Sequence, residues 1–320
     1  MLASAKKAPE LSVVVPVYNS ARIFPELHKR LVGALEGSVE SFEIIAVLDG
    51  CRDNSLDVIG SLSQKDGRIK VIEFSRNFGH QAAITAGLNH AAGRLIAIID
   101  DDLEDPPEIL NQFIAKTKEG FDVVFGIRKK RKRSLPLRML YSMFYRISGK
   151  LVDIDIPRDA GDFCVMTRRV VEVLLSMPEN NRYLRGMRAW SGFKQTGVEY
   201  EREGRFADNS GYNLRKYFAL ALNGIFSFSY RPLKYVTFIG IFIAMLSFAE
   251  GARVLYLKLT DKMFNVPGWT SLSLSILFFS GVQLIALGII GEYIARIYDE
   301  VKQRPKYVIR TKIGLDEEQS

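Results

Sequence analysis

The chain has 320 residues, with 44 lysines and arginines against 36 aspartates and glutamates, for a formal net charge of +8. That length is enough for one well-buried domain plus a smaller element, and the basic excess favours anionic partners such as phosphates, acidic lipid or nucleic acid. Its two cysteines, Cys51 and Cys164, lie far apart with no CxxC spacing, which excludes a disulfide or zinc framework.

Residues 1–10 are short and basic with no apolar centre, so no cleaved secretory signal is expected. Short β-branched runs then follow at Leu11–Val17, Phe42–Leu48, Ile69–Phe74, Leu95–Ile99 and Asp122–Phe125. Helical patterns lie between them at Ile23–Leu35, Leu56–Ser63, Gln81–Ala92 and Pro107–Lys118. This alternation predicts an α/β domain with a mainly parallel sheet, whose ligands bind beyond the carboxyl ends of the strands. Polar clusters fall at those ends: Tyr18-Asn19, Asp49-Gly50, Ser75-Arg76-Asn77 and Asp100-Asp101-Asp102.

The most informative stretch is Ile98-Ile99-Asp100-Asp101-Asp102-Leu103-Glu104-Asp105-Pro106-Pro107, an apolar strand running into carboxylates. Hard divalent cations take oxygen ligands, and Mg²⁺ or Mn²⁺ typically bridges a few carboxylates to substrate phosphates. An extended backbone would aim Asp100 and Asp102 to the same side. The alternative is a solvated acidic turn in which Asp105 caps the next helix. Asp49 before Gly50 can be read likewise as a turn aspartate.

Arg128 opens an unbroken basic run through Arg133. A nucleic-acid patch is disfavoured because no base-reading module accompanies it, which leaves anionic lipid or plain solvent. Two amphipathic patterns follow at 135–151 and 213–229. Each reads as a core-facing helix or as an interfacial one, and the nearby basic run and apolar segments favour the interface. His28, His80 and His90 form no metal spacing and are read as structural.

Beyond Arg231 apolar residues dominate. Leu233–Leu257 and Trp269–Ile290 each approach the ~20 residues needed to cross a bilayer, against the alternative of buried core helices. Basic residues lie on both outer flanks, which predicts cytoplasmic termini and a catalytic part facing the cytosol. The expected organisation is a domain over residues 1–229, a two-helix anchor over 230–300 and a basic tail over 301–320.

Val15-Pro16-Val17-Tyr18-Asn19, Asp49 through Ser55 and Phe74 through Gln81 precede the acidic cluster in a recognisable order, and Gly161-Asp162-Phe163 follows it. With Ile290 through Tyr298 and Arg304-Pro305-Lys306-Tyr307, these make nearly the whole chain resemble family-2 glycosyltransferases of the GT-A fold. The nearest likeness is to polyprenyl-phosphate enzymes such as bactoprenol glucosyltransferases and dolichol-phosphate mannose synthases. The resemblance implies a nucleotide-sugar donor, UDP-glucose first among several UDP- or GDP-linked sugars, and a polyprenyl phosphate acceptor. It implies an integral protein of a bacterial-type plasma membrane in contact with anionic lipid, and leaves a homo-oligomer open.

By position, the resemblance places Pro16, Tyr18, Asn19, Asp49, Asp100 and Asp101 at the nucleotide. Asp100, Asp102 and Glu104 would hold Mg²⁺ or Mn²⁺, and Arg128 and Arg138 would take the acceptor phosphate. Asp102 and Asp162 would be the catalytic carboxylates. Glu104 stands where relatives commonly carry Gln, Asp101 where they often carry Ala, and Leu48-Asp49-Gly50-Cys51 replaces Asn-Asp-Gly-Ser. Asp162 is read as a base, a substrate-positioning group or a structural turn residue. A phosphate monoester, with a second pKa near ~6, is already largely ionised at pH 7 and needs orientation more than deprotonation. The rival readings are a processive polysaccharide synthase, for which Met187-Arg188-Ala189-Trp190 lacks the Gln-x-x-Arg-Trp pattern, and a non-catalytic membrane adaptor.

Overall fold

A computed structural model describes residues 8–128, 160–180, 182–201, 231–260 and 268–315. The chain divides into two compact units. The first holds an eight-stranded sheet of β1 (Leu11–Val17), β2 (Phe42–Leu48), β3 (Ile69–Phe74), β4 (Leu95–Ile98), β5 (Val123–Arg128), β6 (Ala160–Thr167), β7 (Gln195–Tyr200) and β8 (Ile309–Ile313), in the order β7-β5-β6-β4-β1-β2-β3-β8. The pairs β1/β2, β1/β4, β2/β3 and β5/β7 are parallel, whereas β6 runs antiparallel to β4 and β5, and β8 antiparallel to β3. The α/β, mainly parallel architecture agrees with the sequence reading.

Strands β1 and β2 are buried at every residue, as expected of parallel strands covered on both faces. Packed on the sheet are α1 (Phe24–Leu35), α2 (Ser55–Lys65), α3 (His80–His90) and α4 (Leu110–Lys118), the last preceded by a short turn of 3₁₀ helix over Pro107–Ile109. In α1 the buried set Phe24, Leu27, Leu31 and Leu35 recurs at helical spacing, and Pro25 suits a first turn whose N–H groups lack intrahelical partners. The helices α5 (Arg168–Ser176) and α6 (Leu184–Trp190) follow β6.

The C-terminal segment corrects the expectation of a separate tail. Residues 309–313 form strand β8 and complete the sheet on the free edge of β3. The expected domain over residues 1–229 would therefore lack one strand of its own sheet.

The second unit contains α7 (Arg231–Leu259) and α8 (Trp269–Val301). Among the described residues, one helical segment is long and apolar enough to cross a membrane: Phe278–Val301, 24 residues with a mean hydropathy of 1.6. The apolar stretch of α7 is shorter, Tyr235–Ala249, bounded by Lys234 and Glu250. Two full spans were expected and one is found by this measure, displaced toward the C-terminus. Both helices carry apolar side chains outward, Phe248 being 81% and Leu284 69% exposed. The patterns at 135–151 and 213–229 lie outside the described residues.

Candidate active site

Strand order reverses at β1, which has β4 on one side and β2 on the other, so a crevice opens beyond the carboxyl ends of β1 and β4. Pro16 helps to open it. In a parallel ladder a residue's N–H and C=O point to the same neighbour, and Val14 C=O accepts from Ile99 N–H on the β4 side. Pro16, two residues on, therefore turns its missing donor toward β4, and the β1–β4 ladder ends at Val14–Ile98. Pro16 itself is buried in the strand, so it shapes the crevice rather than lining its surface.

Past Pro16, Tyr18 stands half-exposed, and its N–H donates to Asp101 Oδ2 at 3.1 Å. Asn19 adopts φ 55°, and its Oδ1 accepts from Arg52 N–H at 2.8 Å, which joins the loops after β1 and β2. Asp49, at the end of β2, is almost wholly buried. Its two oxygens accept the N–H groups of Phe78 (2.6 Å) and Gly79 (2.9 Å), and its backbone carbonyl accepts from Asn77 Nδ2 at 3.1 Å. Asp49 thus holds the loop of residues 75–79 against the crevice, a structural task the turn reading did not foresee.

Gly50 is locked into the same contact. It has φ +63°, and a Cβ there would fall inside van der Waals contact of Asn77 N and Arg76 C. Gly50→Ala combines a left-handed backbone with a clash against main chain, so it is expected to cost about 3 kcal/mol. A thermal melt of the full-length variant showing an unchanged midpoint would contradict this.

The acidic cluster forms a turn, with Leu103 at φ 58°, so the extended backbone assumed from the sequence does not continue through it. Asp100 meets His80 Nε2 at 2.8 Å, Asp102 Oδ1 accepts from Glu104 N–H at 3.1 Å, and Glu104 is buried. Among the described residues no group of three or more His, Cys, Asp or Glu side chains is placed to hold a metal ion, so the expected triad of Asp100, Asp102 and Glu104 is not preassembled. Crowding is still evident. Burial, with the charges of Asp100 and Asp102, pushes the Asp101 carboxyl up to about 6 despite bonds from Ser20 and the Tyr18 amide.

Strand β6 brings the remaining carboxylate to this end of the sheet. It runs antiparallel to β4 with Ile98 opposite Cys164, so its opening residues extend past the end of β4. Asp162 is 8% exposed and bound in two places by Arg185 of α6, Nε to Oδ1 at 2.9 Å and an Nη to Oδ2 at 3.1 Å. Burial alone would raise its pKa, but Arg185, aided by Arg188 and His80, outweighs burial and holds it below the ordinary range. Gln81 ties the pieces together, its Nε2 donating to Asp162 at 3.4 Å and its Oε1 accepting from Leu184 N–H at 3.1 Å. Arg188 donates to Gly161 O at 3.0 Å.

Arg128 ends β5. Its guanidinium reaches Asp105 Oδ2 at 3.4 Å and Tyr200 Oη at 3.3 Å, and the Tyr200 hydroxyl donates to Asp105 Oδ1 at 2.5 Å. Asp105 does not cap the following helix, as the sequence had suggested, but anchors Arg128 instead. Arg138 lies outside the described residues.

His80, Gln81, Arg185, Arg188 and Tyr200 were not picked out from the sequence as site residues. A usable signal for two of them existed: Arg185 and Arg188 stand three apart on one short helix and therefore share a face. His28 and His90 are structural as expected, bonded to Asp66 (3.0 Å) and to Ala86 O (2.9 Å). Cys51 and Cys164 are free thiols.

An α/β domain with acidic strand ends gathered at its switch-point crevice, faced by an arginine-held aspartate, defines a ligand-binding α/β protein of the doubly wound kind. The chain belongs to glycosyl transferase family 2, whose sequence profile matches residues 12–175. It is a glycosyltransferase. It is similar to the uncharacterized glycosyltransferase YkcC of Bacillus subtilis, 44% identical over 309 residues, covering 96% of this chain and 95% of the relative. It is also similar to the SfII prophage-derived bactoprenol glucosyl transferase of Shigella flexneri, 40% identical over 304 residues, covering 94% and 97%. A prophage bactoprenol glucosyl transferase homolog of Escherichia coli K12 is 39% identical over 304 residues, covering 94% and 98%.

Proposed function

We propose that this enzyme transfers glucose from UDP-glucose to a polyprenyl phosphate of the undecaprenyl type, with inversion, at the cytoplasmic face of a bacterial-type membrane. The observation that carries the reading is the placement of Asp162, ionised and clamped by Arg185, in one crevice with Asp100 and Tyr18. Likeness to bactoprenol glucosyl transferases over nearly the full length of both chains supports the lipid acceptor and the sugar.

In this reading Tyr18, Asn19 and the Asp49-held loop frame the nucleotide. The acidic turn suits a hard divalent ion, because its donors are all oxygen and three successive carboxylates crowd together in it. No protein-only cage is built, so Asp100 and Asp102 would hold Mg²⁺ or Mn²⁺ together with diphosphate oxygens of the donor. The ion would neutralise charge on the leaving nucleotide diphosphate. Glu104 is buried, and its backbone N–H donates to Asp102 within the turn.

Asp162 is a poor base in this setting, since its pKa is held low, and the acceptor phosphate needs none. Its work is to fix Arg185, which also feels the charge of Asp100. Arg185 then presents a rigid donor fork to the reacting groups. Arg128, anchored by Asp105 and Tyr200, and Arg138 orient the acceptor phosphate.

Parity supports reading α7 and α8 as two membrane crossings. The chain leaves the sheet after β7 and re-enters the same sheet at β8. The number of crossings between them must be even, so if α8 spans, α7 spans too. A tilted or locally thinned bilayer accommodates the shorter apolar stretch of α7. Anionic lipid then suits the basic run that begins at Arg128.

The test is transfer from a panel of radiolabelled UDP- and GDP-sugars to short and long polyprenyl phosphates by the purified full-length protein in liposomes. A glucosyl lipid of inverted anomeric configuration is expected, formed only with UDP-glucose. Transfer of a different sugar would overturn the donor assignment, and failure with every lipid phosphate would overturn the acceptor.

A further inference from the structure

We infer that residues 304–313 act as a strap that sets the shape of the nucleotide pocket, with Tyr307 as a positioning residue for the donor. This inference rests on reading the crevice as the nucleotide site. The pocket-forming loop, residues 75–79, is held from inside by Asp49, and the strap grips the same loop from outside. Ser75 N–H donates to Val308 O at 2.9 Å, immediately before β8 begins. Arg310 donates to Ser75 O (3.2 Å) and to Glu73 (3.4 Å), and Thr311 donates to Glu73 at 2.8 Å.

Aromatic contacts continue the grip inward. The Tyr307 ring stacks on Phe74 at 5.1 Å between centroids and 12° between planes, and Phe74 meets Phe78 edge-on at 5.7 Å. The Phe78 amide is the one that reaches Asp49 at 2.6 Å. The register shift between Glu73 and Phe74 re-aims the end of β3 at this point, as bulges beside binding sites do. Asn89 Nδ2 of α3 also donates to the Tyr307 hydroxyl at 3.4 Å. A continuous path thus runs from the strap through Tyr307, Phe74 and Phe78 to Asp49, and neither Tyr307 nor Phe74 has been given a role in donor binding.

The experiment uses the full-length protein in lipid nanodiscs, with UDP and GDP as calorimetric probes in the presence of Mn²⁺. Tyr307→Ala is expected to weaken binding of the preferred nucleotide about tenfold and to raise donor KM equally, with kcat at saturating donor and acceptor KM near wild type. Tyr307→Phe keeps the stack and should restore binding to within about twofold. Amide hydrogen exchange at Phe78 and Gly79 should quicken in the alanine variant and recover in the phenylalanine variant. Should Tyr307→Ala not fold, Arg310→Ala, which removes only exposed contacts, is expected to raise donor KM about threefold. Wild-type affinity in Tyr307→Ala, or in Arg310→Ala where it stands in, would overturn the strap. So would a fall in kcat with donor KM unchanged. Tyr18→Ala tests the underlying reading separately: undiminished nucleotide binding there, or no binding of either nucleotide by the wild type, would overturn the crevice as the nucleotide site whatever Tyr307 does.

Discussion

Asp102→Asn is expected to lower transfer roughly a thousandfold while leaving the unfolding midpoint within a degree or two of wild type. The loss corresponds to about 4 kcal/mol of transition-state stabilisation. In the turn at residues 100–104, burial first and then the charges of Asp100 and Asp102 push the Asp101 carboxyl up to about 6. Such repulsion is relieved when a divalent cation takes part of the charge. Asparagine fills the same space but offers a neutral oxygen, a weaker partner for a hard ion bridged to diphosphate. It can still accept from Glu104 N–H, the bond Asp102 makes now, so the turn should keep its shape. Chelation with EDTA should abolish wild-type transfer, and Mn²⁺ or Mg²⁺ should restore it. Near-normal turnover of Asp102→Asn, or full activity in chelator, would remove the metal from the mechanism.

The second large effect concerns the pair Asp162 and Arg185. Arg185→Ala leaves a carboxylate, 8% exposed, without the guanidinium that bonds both its oxygens. Removing one partner of a buried pair costs about 3–5 kcal/mol. Arg185 retains some solvent contact, so the lower end of that range applies. Asp162→Asn should destabilise by a similar mechanism, leaving the arginine uncompensated. The double variant Asp162→Asn/Arg185→Met replaces the pair with neutral groups, and most of the lost stability should return. Transfer should be absent in all three. Denaturant unfolding gives the stability and the sugar-transfer assay gives the activity. If transfer returned with stability in the double variant, the pair would be a structural clamp with no part in the reaction.

The sequence carried the first five strands and their helices because the signal is local. Residues 11–17 and 42–48 are apolar along their whole length, and α1 shows its 3.6-residue period without help from distant contacts. Strands β6, β7 and β8 were not legible for the opposite reason. Their hydrogen-bond partners lie far along the chain, and β8 pairs with residues more than two hundred positions earlier. The site divided along the same line. Asp49, Asp100 and Asp102 were visible as polar breaks after apolar strands, but the groups that control them were not. His80 acts on Asp100 across 20 residues and Arg185 on Asp162 across 23. The triad of Asp100, Asp102 and Glu104 is not preassembled because the chain turns through residues 101–103, with Leu103 at φ 58°, and side chains alternate two by two only where the backbone is extended.

The pairing of β8 with β3 also governs how the protein is made. A chain emerging from its amino end presents β3 early, with one edge unoccupied, and must then produce both long apolar helices before β8 exists. Through that interval the open edge is a template for pairing with neighbouring nascent chains. Sheet completion therefore has to wait until the chain beyond both helices has been made. Closing a loop of this length carries only a slowly growing entropic cost, so the delay is one of timing more than of stability. A premature stop at position 309 would spare every crevice group named above and still leave an unfinished sheet.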